Sequence, residues 1–324
     1  MVTQRTRERS RKPSLEPLEG RALLSASSPT PAPAHAEAAA SRTGGTRALM
    51  NLTYAPQLHL DLYLPVGPTP AGGRPVVLAL PGGGWRWVRR GDLGTSASQL
   101  TNYGYAVAVA DYTYSGGTPG TSVWPTNLND VRSAVRWLKG NAGKYGIDPN
   151  RVAVWGESAG GNLAALVGTF PDDPSAPAPR VRSRGNAFGG ISARVQAVID
   201  FYGPADLTAL YRDAPKSQAY LNTFLGGTPD QVPDRYIAAS PVTHVDASSP
   251  PFLIEQGVGD TAVPQAQAAE LAVRLTAAGV PVTLQYQYAG HGFRFQPSPG
   301  VDLLPTMLAF LDSSLNRPAK PTTP

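Results

Sequence analysis

The run Arg151-Val-Ala-Val-Trp155, Gly156-Glu157-Ser158-Ala159-Gly160, Gly161, Asn162-Leu-Ala-Ala-Leu-Val167 decides the reading of this chain. Its first five residues are strand-like and apolar, and its last six are helix-like. Between them a serine stands with a glycine two residues to either side. A helix start that happened to be glycine-rich would explain the glycines but not their symmetry about Ser158. A strand, a strained turn and a helix make a nucleophile elbow, where small neighbours permit the backbone approach that holds a hydroxyl above a sheet.

The rest of the body supplies such a sheet. Val76–Leu80 is a continuous apolar run ending in Pro81-Gly82-Gly83-Gly84, and Tyr105–Ala110, Val195–Phe201, Phe252–Ile254 and Val282–Tyr288 are further runs. Runs apolar on both faces suit a parallel sheet covered by helices. Helical patterns alternate with them: Val131, Ala134, Val135 and Leu138 fall at i, i+3, i+4 and i+7, and helices are expected over 264–278 and 303–315. The alternation predicts an α/β fold, a mostly parallel doubly wound sheet with helices on both faces. Residues 207–240 break it and are expected to form a small cap, while 171–190 reads as a long loop. One catalytic domain over 48–318 is the expectation, with a short disordered tail at 319–324.

Composition narrows the chemistry. The 324 residues include no cysteine, which removes disulfide scaffolds, thiolate nucleophiles and Cys-ligated metal sites. The net charge is +5, but residues 1–47 hold eight basic and four acidic side chains, so the rest is nearly neutral. That balance argues against a nucleic-acid partner. No apolar run approaches the roughly 18 residues of a membrane span. No cluster has metal-ligand spacing and the Gly-rich segment lacks the Lys-Ser/Thr ending of a phosphate loop, so no cofactor or metal is expected.

Residues 1–47 read as a disordered leader. Arg5, Arg7, Arg9, Arg11 and Lys12 face Glu8 alone, and 20 of residues 22–46 are Ala, Ser, Pro, Thr or Gly. Within it, Leu15-Glu16-Pro17-Leu18-Glu19-Gly20-Arg21-Ala22-Leu23-Leu24-Ser25 resembles the LEPR-XLL segment of exported bacterial proteins. Export or the cell surface is the expectation, with a solvated tail on a cytoplasmic protein as the alternative.

A serine hydroxyl needs a base, and there are four histidines. His35 lies in the leader, His59 in an alternating strand-like run, and His244 in a proline-bounded loop. His291, in Ala289-Gly290-His291-Gly292-Phe293 just past the last strand, is the candidate base. An orienting carboxylate is expected from Asp260, which follows the run at 252–254; Asp206 is the runner-up, and either aspartate could instead cap a helix. The order Ser158, Asp260, His291 suits an elbow on such a sheet. Gly83 and Gly84, directly after an early core strand, and Ala159, after the serine, are the candidate oxyanion donors.

Together these residues resemble the α/β-hydrolase superfamily, in the feruloyl-esterase-like and acetyl-esterase branch akin to hormone-sensitive lipase. The resemblance runs over about residues 54–312. It includes Leu60-Asp61-Leu-Tyr-Leu-Pro65, Asp130-Val-Arg-Ser-Ala-Val-Arg-Trp-Leu138, Tyr145-Gly-Ile-Asp-Pro149, Phe201-Tyr-Gly-Pro-Ala-Asp-Leu207 and Pro250-Pro-Phe-Leu-Ile254. It implies a triad of Ser158, Asp260 and His291 and an oxyanion hole of Gly83, Gly84 and Ala159. The chain departs from the group at Pro81, where a His that braces the loop usually stands, and at Gln256, where His is common.

The resulting expectation is a serine carboxylic ester hydrolase acting through an acyl-enzyme on short acyl esters, such as acetyl or feruloyl groups on polysaccharides. Trp85 and Trp87, just past the glycines, are expected to wall the acyl or sugar side of the mouth. Two alternatives stay open: an amidase, peptidase or arylformamidase with the same triad, and a non-catalytic surface or binding protein on a hydrolase scaffold.

Overall fold

Eight strands form one sheet in the order β1-β2-β4-β3-β5-β6-β7-β8. They are β1 (Thr46–Ala55), β2 (Leu58–Pro65), β3 (Arg74–Leu80), β4 (Ala106–Ala110), β5 (Ile147–Glu157), β6 (Ala197–Phe201), β7 (Phe252–Gly257) and β8 (Val282–Gln287). The β1–β2 hairpin and the β2–β4 pair are antiparallel, and every other pairing is parallel. This computed structural model describes residues 45–117, 122–172, 188, 190–293 and 302–315, which belong to a unit spanning Ala40–Pro324. Among the described residues no helix is long and apolar enough to cross a membrane.

The central strands are buried on both faces because both sides of each strand carry apolar residues. On β3, Val76, Leu78 and Leu80 enter one core, while Val77 and Ala79 enter the other. The helices are α1 (Gly94–Thr101), α2 (Thr126–Gly140), α3 (Ala142–Tyr145), α4 (Ala159–Thr169), α5 (Leu207–Asp213), α6 (Gln218–Leu225), α7 (Pro233–Ala238), α8 (Ala266–Ala277) and α9 (Leu304–Leu315). Side chains of α2, α4 and α8 fill the first core, and those of α1 and α9 the second. The stripe read at Val131, Ala134, Val135 and Leu138 is buried on α2, each large apolar side chain contributing roughly 1.5–3 kcal/mol.

Helices α5 to α7 form the cap between β6 and β7. Its two ends meet at one buried side chain, since Asn162 Nδ2 on α4 donates to both Pro204 O (3.0 Å) and Ala239 O (3.1 Å). Beside it, Leu207 N–H donates to Ser240 Oγ (2.9 Å).

Two details differ from the sequence expectations. Thr46 and Arg47 open β1, inside the stretch read as leader, because they pair with Pro65 and Leu64 on β2. The run at 282–288 is not buried on both faces: β8 is the sheet's edge, partly exposed along its length, and Tyr288 is 95% exposed. The rest of the leader with its LEPR-like segment, most of the 171–190 loop and the 319–324 tail lie outside the described residues.

Candidate active site

Parallel strands in one sheet deliver their carboxyl ends to one edge, and loops from that edge build the site. Leu80 at the end of β3 sits beside Gly156 on β5, so the Pro81–Gly84 loop emerges next to the turn at Ser158. Ser158 itself has φ 54° and ψ −117°, a left-handed conformation that is strained for a residue with a Cβ. Two glycines make the turn possible. A Cβ on Gly156 would lie 2.0 Å from Gly160 O, and one on Gly160 would lie 2.2 Å from Leu80 O. Main-chain bonds from Ser158 N–H to Phe201 O (2.9 Å) and from Asn162 N–H to Ser158 O (3.0 Å) fix the turn.

Ser158 Oγ lies 2.9 Å from His291 Nε2, and His291 Nδ1–H donates to Asp260 Oδ2 at 2.7 Å. With Nδ1 committed to the carboxylate, Nε2 is left to accept from the serine. The Asp260 side chain has no solvent exposure. Its Oδ1 accepts the N–H groups of Ala262 (2.9 Å) and Val263 (2.8 Å), and its Oδ2 also accepts from Gln256 Nε2 (3.3 Å). Three loops, after β5, β7 and β8, thus bring together the three residues singled out in the sequence. The runner-up Asp206 stands elsewhere as the cap of α5, its Oδ1 accepting Ala209 N–H at 2.9 Å. His59 lies on β2. His244 is partly buried, its ring 4.3 Å from that of Phe170.

The glycine loop borders the serine closely, since a Cβ added to Gly82 would lie 3.3 Å from Ser158 Cβ. Gly83 (φ 130°) and Gly84 (φ 59°) take conformations that side chains disfavour. Neither N–H makes a backbone hydrogen bond among the described residues. That of Ala159, the first residue of α4, has no intrahelical acceptor. Gly83, Gly84 and Ser158 line a cleft of about 350 Å³ together with Trp85, Trp87, Tyr202, Pro204, Leu210, Tyr220 and Val263.

The two tryptophans part company. Trp85 is 3% exposed and its ring stacks on Phe224 at 4.2 Å, so most of it is packing. Trp87 stays 47% exposed at the rim, edge-on to Tyr220 at 6.4 Å. Tyr220, on α6, lies against the glycines and was not legible in the sequence; a Cβ on Gly84 would meet its ring at 2.3 Å. The Arg86 guanidinium stacks on the same ring at 4.3 Å and donates to Ala219 O (2.8 Å), tying cap to loop.

Tyr202 was also missed, although it stands in the Phe201–Leu207 motif just past β6. It has φ 45° and is 2% exposed. Its ring meets the His291 ring edge-on at 5.0 Å, and its hydroxyl donates to Phe293 O at 2.9 Å. Beneath the site lie two buried carboxyls. Burial pushes Asp200 up to about 7 against the opposing hydrogen bond from Gly203 N–H. It likewise pushes Glu255 up to about 7 against the bond from Gln287.

Residues 60–275 match the BD-FAE family. The chain belongs to that family. Among curated proteins it is similar to a probable carboxylic ester hydrolase, LipM, of Mycobacterium tuberculosis, with 34% identity over 65% of this chain and 47% of that one. It spans about half the length of the LipM, LipC and LipQ esterases of that organism, to which it is similar. Among solved structures it is similar to a truncated form of a carbohydrate esterase from gut microbiota, with TM-score 0.70, 25% identity, and coverage of 86% of this chain and 99% of that one. It is also similar to Thermogutta terrifontis esterase 2 phosphonylated by sarin, with TM-score 0.67, 25% identity, and coverage of 85% and 98%. Those likenesses extend the BD-FAE match to an α/β-hydrolase sheet over most of the chain.

Proposed function

We propose that this BD-FAE chain is a serine carboxylic ester hydrolase working through an acyl-enzyme on short acyl esters. The observation that carries the reading is the unbroken hydrogen-bonded series Ser158 Oγ, His291 Nε2, His291 Nδ1 and Asp260 Oδ2, at 2.9 and 2.7 Å. Ser158 Oγ attacks the ester carbonyl as His291 Nε2 takes its proton, while buried Asp260 stabilises the imidazolium. The N–H groups of Gly83, Gly84 and Ala159 stabilise the oxyanion. Collapse of the tetrahedral adduct breaks the acyl–oxygen bond, and His291 returns the proton to the departing alcohol. Water then attacks the acyl-serine with His291 as base, releasing the acid and restoring the hydroxyl.

The cleft walled by Tyr220, Leu210, Pro204 and Val263 offers an apolar wall for the acyl group, which supports small acyl esters such as acetates. Half-exposed Trp87 at the rim offers the flat face on which a sugar ring or a feruloyl ring stacks. The likeness to a carbohydrate esterase supports a polysaccharide as the alcohol.

The test compares wild type with Ser158→Ala on p-nitrophenyl acetate, butyrate and octanoate and on the matching p-nitroanilides. Acetate is expected to turn over fastest, the anilides hardly at all, and the variant to lose about 10⁴-fold or more in kcat. Equal rates for both proteins on every ester would end the hydrolase reading. Faster anilide turnover would move the chain to the amidases.

A further inference from the structure

The segment Pro81–Arg89 leaves β3 and runs without helix or strand to the turn at Arg90–Leu93. One neighbouring segment, Asp111–Ser115 directly after β4, holds this stretch and its junction with the turn at three points. At the start, Tyr112 Oη donates to Pro81 O at 2.7 Å. In the middle, Ser115 N–H and Ser115 Oγ both donate to Trp85 O, at 2.9 and 3.3 Å. At the far end, the Asp111 carboxylate accepts from the Arg90 guanidinium, whose Nε also donates to Asp61 Oδ2 at 2.9 Å.

The holding segment is itself fixed. Asp111 N–H donates to His59 O (3.0 Å), Asp111 Oδ1 accepts His59 N–H (2.7 Å), and Asp111 O accepts from Tyr54 Oη (2.6 Å). On its other side Thr113 N–H donates to Asp130 Oδ2 at 2.9 Å. Tyr112 is fully buried, and burial holds its phenol well above the usual range, so the hydroxyl keeps its proton. Pro81 O is wedged as well, because a Cβ on Gly160 at the start of α4 would lie only 2.7 Å from it.

Gly83 and Gly84 carry no side chain that could anchor the loop, whereas oxyanion donors stabilise charge only when held in place beforehand. Pro81 brings no side chain to do this. The geometry points to Asp111–Ser115 as the cradle of the oxyanion loop, with Tyr112 as the positioning residue that braces it from the Pro81 carbonyl. This rests on the ester-hydrolase reading, because it gives the loop its task.

The experiment compares wild type, Tyr112→Phe and Ser115→Ala, with Val135→Ala on α2 as a control for lost stability. It measures kcat and KM on p-nitrophenyl acetate, affinity for a boronic acid that mimics the tetrahedral adduct, and the pH profile of kcat/KM, all well below each melting temperature. Tyr112→Phe is expected to lower kcat about 10- to 100-fold with KM little changed, since small misplacements cost this much. Boronate affinity should fall in step while the pH profile keeps its midpoint, because His291 is untouched. Ser115→Ala should lose roughly 3- to 10-fold, as its N–H still holds Trp85 O.

An active wild type beside a Tyr112→Phe with unchanged kcat and boronate affinity overturns the cradle alone. So does an equal kcat loss in Val135→Ala. If Tyr112→Phe does not fold, unchanged kcat in Ser115→Ala overturns it. A wild type inert on every ester overturns the hydrolase reading and the cradle with it.

Discussion

The turn at Ser158 and the loop at His291 meet in one hydrogen bond but are secured by different means. The serine stands between the buried end of β5 and a helix, α4, that is almost wholly buried, and its flanking glycines pack so closely that a Cβ on either would lie 2.0 or 2.2 Å from a carbonyl oxygen. The histidine follows β8, the partly exposed edge of the sheet. A few bonds hold its loop: Gly259 N–H to Ala289 O at 2.9 Å, Tyr202 Oη to Phe293 O at 2.9 Å, and Asp260 to the ring. The nucleophile is therefore fixed by close packing and the base by a short list of polar contacts. Damage to the first should cost the fold, and damage to the second should cost rate.

Gly160→Ala is the most severe way to break the comparison. Its new methyl would overlap the Leu80 carbonyl, so we expect a loss of about 4 kcal/mol or more in urea unfolding, or no soluble protein. A variant that melts like wild type would show that the elbow can relax. Asp260→Asn strikes the other half. It should keep a near-native circular dichroism spectrum and lose roughly 10⁴-fold in kcat, because the imidazole takes the wrong tautomer. A loss below about 10-fold would remove Asp260 from its role.

Glu255, hydrogen-bonded by Gln287 at the end of β8, ties stability to pH. Burial raises its carboxyl from 4.5 to about 7, so the folded chain holds a proton that the unfolded chain gives up. Its contribution to stability is thus full below about 4.5 and is lost as pH rises through about 7, a change on the order of 3 kcal/mol. Calorimetry at pH 5 and 8 should show a smaller fall in Tm for Glu255→Gln than for wild type, and equal falls would refute this. Tyr202→Phe keeps the ring against His291 and removes the bond to Phe293 O. About a 10-fold lower kcat at unchanged KM is expected, and a fall in Tm alone would make Tyr202 merely structural. Tyr288→Ser, at the exposed end of the edge, should move stability by less than about 0.5 kcal/mol in the same unfolding assay.

The elbow was legible in the sequence because its causes are local: strand, turn and helix lie within seventeen residues and their glycines are visible as letters. His291 and Asp260 were legible by elimination and by order along the chain. The sites of Tyr112, Ser115 and Tyr202 as supports were not, because each donates to a main-chain carbonyl far along the chain, and a carbonyl leaves no trace in residue identity. Tyr220 depended on how the cap packs, which no local pattern encodes. The apolar letters of 282–288 suggested a covered strand, yet strand order along the sheet, not composition, put β8 at the edge.

Asn162 has a consequence for how such a chain can diversify. One buried amide clasps both feet of the cap, so the stretch from Ala205 to Ala238 begins and ends at a fixed gap beside α4. A replacement segment would have to present two carbonyls to that amide and also meet Arg86 and the core that Leu207, Leu221 and Phe224 fill. The same helix that begins just after the nucleophile thus also sets where the cap starts and where it stops.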